Sequence, residues 1–192
     1  MMIPDASWPA APGGESISPP LSTQDLRIFA GDAAYAGPLR GNVDYYVPRW
    51  VEALSNSTTH AGFNWAATLF GSYWCFWRRL YALGFTILVA EFITSLLLAL
   101  IFVQGLELEP DLGTVNAVGW VALIPVRGLL GYYANTLYLS RAIQTVAAAR
   151  QEHAAADQQL QFVAERGGTS WLVLAIALVV QFAVMSAPLV PT

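Results

Sequence analysis

The chain has 192 residues, of which 56% are hydrophobic and only 11% charged, with a mean hydropathy of +0.49. That is too apolar for an ordinary soluble domain. All nine basic residues are Arg and the net charge is −4, so nothing beyond a basic pair is available to hold nucleic acid, which is excluded as a partner.

Residues 1–22 are rich in Pro, Gly and Ser and predict an extended tail with no packed core. They lack the basic start and apolar core of a signal peptide. Residues 23–62 are mildly polar and interrupted by Gly31, Gly37-Pro38 and Pro48, which leaves room for short helices such as one around Trp50–Leu54 but not for an enzyme-sized domain. A cytoplasmic segment is expected there.

From Phe63 the composition changes. Phe63, Ala67, Phe70, Trp74 and Trp77 share one side of a helix and Asn64, Thr68 and Ser72 another, followed by Arg78-Arg79. The stretch is too short to span a bilayer, and residues 63–79 predict an amphipathic helix lying in the membrane interface or dipping inward as a re-entrant element. Trp65, Trp74, Trp77, Arg78 and Arg79 are the expected interface anchors, because indole rings favour the headgroup level and cytoplasmic arginines set orientation. Trp8, Phe63 and Phe70 are candidate partner contacts.

Three spans are expected next: Leu80–Leu106, Thr114–Leu139 and Ser170–Ala187, the last closed by Pro188. Glu107, Glu109 and Asp111 separate the first two, while Arg141, Arg150 and Arg166 separate the second from the third. Counting basic residues near span ends places the N-terminus in the cytoplasm and the C-terminus in the periplasm of a multi-pass inner-membrane protein. The connector 140–168 is Ala- and Gln-rich and ends at Gly167-Gly168, which predicts a cytoplasmic helix turning back to the third span. Its apolar seam (Ile143, Val146, Leu160, Val163) is weak, favouring a solvated helix over a coiled-coil partner.

The order Tyr45-Tyr46-Val47-Pro48-Arg49-Trp50, then Phe63-Asn64-Trp65-Ala66-Ala67 with Leu69-Phe70-Gly71, then Trp77-Arg78-Arg79-Leu80-Tyr81 resembles the bacterial membrane family termed domain of unknown function 2628. That family carries an F-N-W-A-A-F-x-F-G-P-x-W block followed by Y-R-K-M-Y and apolar spans. Gly131–Ile143 resembles its later G-x-x-A-N-x-L-Y-L stretch. Ser72 stands where the family has Pro, and the long N-terminal tail lies outside the pattern. The resemblance implies location and topology and supplies no catalytic residues.

Chemistry-bearing motifs are sparse. His60 and His153 lack neighbours at metal spacing, and no phosphate loop, dinucleotide fingerprint or hydrolase motif occurs. No catalytic, metal-ligating or cofactor-binding residue is expected, and Cys75 reads as a packing residue. The residues that stand out are Glu91 and Arg127, ionisable side chains inside apolar spans. Glu91 follows Arg79, and Arg127 precedes Arg141, by roughly 18 and 21 Å at helical rise, so antiparallel spans would bring them to one level. They could be a structural ion pair, part of a proton or ion route, or contacts to a partner subunit.

The expectation is therefore an all-α integral membrane protein with lipids and a larger membrane complex as partners. A non-catalytic accessory subunit of a respiratory or photosynthetic assembly is one reading. A small transporter working through Glu91 and Arg127 is the other.

Overall fold

In the computed structural model, which describes residues 21–31, 42–58, 60–102, 118–119 and 121–186, Ser22 starts the first helix with a reciprocal capping box. Its hydroxyl accepts from the Asp25 amide, and the Asp25 carboxylate accepts from the Ser22 amide. Helix α1 (Thr23–Ala30) ends on Gly31 in the left-handed region. Helix α2 (Val43–Ser55) buries Tyr46, Trp50 and Ala53 at helical spacing in spite of Pro48 within it. Helices α3 (Trp65–Phe70) and α4 (Ser72–Trp77) are short. Helix α5 (Tyr81–Leu100) is long and apolar. Helix α6 (Ile124–Glu152) is the longest, α7 (Ala156–Arg166) folds back along it, and α8 (Trp171–Ser186) is apolar throughout. Every described element is an α-helix.

The molecule has two unlike halves. Helices α1, α2, α7 and the latter part of α6 surround a buried aromatic group in which the Tyr138 ring lies 5.1–5.2 Å from those of Phe29, Tyr46 and Trp50. These spacings suit tilted and edge-on ring pairs, each contributing about 0.5–1.5 kcal/mol beyond burial. Helices α5 and α8, by contrast, leave most of their large apolar side chains exposed.

Two stretches, Tyr81–Leu98 and Ala156–Val179, are long and apolar enough to cross a membrane. The second contains the Gly167-Gly168 break, so its apolar part is α8. The described part of the expected second span, from Ile124 to Leu139, is not among them. Its inward face carries Arg127, Gly131 and Asn135, and it continues without interruption into the polar half of α6. The proline-rich residues 1–20 with Trp8, the acidic segment 107–111, the span start at 114–117 and the closing Ala187-Pro188 lie outside the described residues.

One expectation is corrected. Residues 63–79 are two short helices, not one amphipathic helix, because Gly71 breaks the path with φ +54° and ψ −126°, a conformation natural only to glycine. Both expected sides are buried in part: Ala67 and Trp74 of the apolar side are covered, and so are two residues of the polar side. Asn64 and Ser72 are buried, whereas Trp65, Leu69 and Phe70 are exposed by 70%, 63% and 58%.

Candidate functional site: a polar seam beneath an apolar surface

The break at Gly71 brings together residues that a straight helix would separate. Arg127 on α6 meets Glu91 on α5, with Nε and Nη2 each 3.1 Å from Oε1. The other carboxylate oxygen accepts from the Ser72 hydroxyl at 3.2 Å, and Arg127 Nη1 approaches the Leu69 carbonyl at 3.4 Å. The Arg127 and Glu91 side chains are only 11% and 12% exposed. Two guanidinium nitrogens converge on one carboxylate oxygen, a charge-assisted contact. Both carboxylate oxygens are thus occupied. Gly71 packs directly on this pair: a Cβ there would lie 2.8 Å from Glu91 Oε1.

A second seam lies farther along α6. Asn64 caps α3 by accepting from the Ala67 amide at 3.0 Å, and its own side-chain amide donates to Asn135 Oδ1 at 2.8 Å. Asn135 Nδ2 in turn donates to the carbonyls of Gly62 and Ala61 at 2.9 and 3.2 Å. The Trp50 indole donates to the Asn135 carbonyl at 3.1 Å, and the Asn64 amide to the Gly131 carbonyl at 2.8 Å. Two buried asparagines therefore satisfy the backbone of an irregular segment and fasten α2 and α3 to α6.

Arg78 is the second correction. Expected at the headgroup level, it is 2% exposed. Its guanidinium carbon lies 4.5, 4.9 and 5.4 Å from the ring centres of Tyr46, Trp77 and Tyr138. Its Nε and Nη1 have no hydrogen-bond partner among the described residues. The ring faces, not a carboxylate, accommodate this buried charge. Trp74 is buried as well, whereas Trp77 is half-buried against Trp171 at 5.7 Å. Arg79 takes φ +59° and donates to the carbonyls of Glu165 and Thr169, fastening α4 to the α7–α8 junction.

Of the remaining predicted residues, Phe63 packs edge-on against Trp65 at 4.8 Å. His60 stacks on Tyr132 at 4.2 Å, and His153 sits against Phe162. Cys75 is fully buried, and burial, reinforced by the Glu91 carboxylate, pushes its thiol up to about 12. Among the described residues no group of His, Cys, Asp and Glu could hold a metal ion. The polar seams offer hydrogen bonding and charge neutralisation inside the protein and present no nucleophile or general base at a surface.

Sequence reasoning missed Ser72 and Leu69 as ligands of the pair, and Asn135 as the centre of the second seam. Asn135 carried a signal, since an asparagine inside an apolar stretch needs partners wherever it is buried.

The chain matches, over residues 42–143, the family described as protein of unknown function (DUF2628), and it belongs to that family. The match runs from the start of α2 into α6 and includes both polar seams, leaving α1, α7 and α8 outside it. No curated protein and no solved structure matches the chain.

Proposed function

We propose that this member of the family is a non-catalytic accessory subunit that packs against a larger complex in the bacterial inner membrane, with a respiratory or photosynthetic assembly as the host class. The observation that carries the reading is the outward apolar face of α3. Trp65, Leu69 and Phe70 are all more than half exposed, on a helix of six residues, too short to be a span. An apolar patch of that kind calls for an apolar neighbour, and exposed Leu129, Tyr132 and Tyr133 on α6 extend the apolar surface beyond α3. The topology that goes with this reading has three spans, supplied by α5, the first half of α6 with the residues before it, and α8. The arginine-rich side faces the cytoplasm and the C-terminus the periplasm.

The transporter reading has less support. A carrier residue must exchange partners, and Glu91 has both oxygens engaged by Arg127 and Ser72.

The test is purification of the tagged full chain from its native membrane in a mild detergent, followed by native-gel separation and mass spectrometry. Co-migration with one large complex in fixed proportion is the expected result. A lone monomer or a homo-oligomer would overturn the proposal.

A further inference from the structure

A cavity of about 170 Å³ opens between α6 and α7. That is well below the roughly 300 Å³ at which pockets for drug-sized ligands begin. Arg141, Thr145, Ala148 and Glu152 line it from one face of α6, and Phe162 and Arg166 from one face of α7. Gln144 completes the wall.

Most of the described arginines are engaged elsewhere. Arg127 holds Glu91, Arg150 holds Asp25 at 2.7 Å, Arg79 holds two carbonyls, Arg49 holds the Tyr45 carbonyl, and Arg78 sits among rings. Arg141 and Arg166 differ. Neither has a carboxylate partner among the described residues, yet both line the same small cavity. Arg166 is held in place by the Phe162 ring, 3.5 Å below its guanidinium. Two like charges facing one cavity repel each other until an anion lies between them. The Thr145 hydroxyl already donates to the Arg141 carbonyl, so the donors left are the two guanidiniums and the Gln144 amide.

Glu152 is the one carboxylate on the cavity wall. It stands about 16 Å from Arg141 along the helix axis, at the end where α6 turns into α7. The positive end lies instead beside Gly167-Gly168, the bend that leads to Trp171 and α8.

We propose that this cavity binds a phosphate group through Arg141, Arg166 and Gln144. Planar guanidiniums donate in pairs to phosphate oxygens, and the volume admits one such group. Two sources share that chemistry: the headgroup of an anionic phospholipid reaching in from beside α8, or a soluble phosphate. The lipid source rests on the membrane reading above, and the soluble source does not. Of the lining residues only Arg141 falls inside the family match, which ends at residue 143.

The full chain in neutral detergent is titrated with phosphatidylglycerol, with phosphatidylcholine, and with inorganic phosphate against chloride at equal ionic strength, following thermal stabilisation and lipid retention in native mass spectrometry. Affinity should fall about fivefold for Arg141→Gln or Arg166→Gln and about 25-fold for the pair, with Arg49→Gln unchanged. Both Arg141 and Arg166 are exposed, so these variants should fold. Competition of phosphate with phosphatidylglycerol on the unmodified protein tests the same site without substitution. A response to phosphatidylglycerol alone assigns a lipid headgroup, and a response to phosphate alone assigns a soluble ligand. Unchanged affinity in the double variant, or no response to either probe, overturns the proposal.

Discussion

Gly71 has room for a hydrogen and nothing larger, and through it a backbone bend decides where a charge pair sits. With φ +54° and a would-be Cβ 2.8 Å from Glu91 Oε1, it lets Ser72 and the Leu69 carbonyl close around Glu91 and Arg127. Removing one charge leaves the other buried without a partner, which costs about 3–5 kcal/mol, whereas replacing both by apolar residues of similar size is close to neutral. Glu91→Leu or Arg127→Leu alone should therefore lower the thermal midpoint strongly, and the two together should recover most of the loss. Additive losses in that double-variant cycle would show that the two residues do not act as a pair. Cys75 gives a second test at this scale. With its thiol raised from 9.0 to about 12, it should resist maleimide at neutral pH and react only on unfolding. Since the folded value is the higher one, the stability linked to this proton is fully present below pH 9 and is lost as pH rises through about 12. Fast labelling of the native protein at pH 7 would contradict the burial.

At the scale of elements, the close approach of α7 to α1 depends on Gly167. A Cβ there would lie 2.3 Å from the Phe29 carbonyl oxygen and 2.8 Å from Phe29 Cα, backbone atoms that cannot step aside. Gly167→Ala should separate α1 from α7 at a cost of about 1–3 kcal/mol, seen as faster amide exchange in Leu26–Ala30 with little change in α5. Equal acceleration in both helices would mean a global loss instead. The elements differ in how far the sequence announces them. Helices α5 and α8 were legible because long apolar runs leave few alternatives. The division of Phe63–Trp77 was not, because the apolar spacing carries straight through Gly71. Its signal lay in the resemblance: a family that has Pro where this chain has Ser72 begins a helix there, proline being suited to a first helical turn. The pairing of Glu91 with Arg127 followed from depth alone, whereas the burial of Arg78 depends on Tyr46 and Tyr138, which no local pattern connects to it.

For the whole molecule, a packed aromatic half contrasts with an exposed apolar half, and the proposed function reads the second as the part set in the membrane. Under the proposed topology, a cysteine at exposed Gln158 faces the cytoplasm and one at Glu109 the periplasm. Cys75 is buried, so the natural chain should be a silent background for both. An impermeant maleimide should label Glu109→Cys in intact spheroplasts and Gln158→Cys only after the membrane is opened. Labelling of both, or the opposite order, would reverse or remove the arrangement.

The junction before α8 also dictates an order of events. Gly168 donates its amide to the Phe29 carbonyl at 2.7 Å and its carbonyl accepts from the Tyr138 hydroxyl at 3.2 Å, while the Ser170 amide reaches the Trp77 carbonyl at 2.8 Å. Arg150 meets Asp25 across 125 positions of chain. Helix α1 thus finds part of its cover in α2, where Trp50 lies 6.5 Å from Phe29, and the rest only in α6 and α7, which are made much later. During synthesis, α5 is complete while Leu26, Ile28 and Phe29 have only α2 to cover them. Full cover of α1 therefore requires α7, and a nascent chain arrested before residue 156 should be cut by protease within α1 faster than the finished protein.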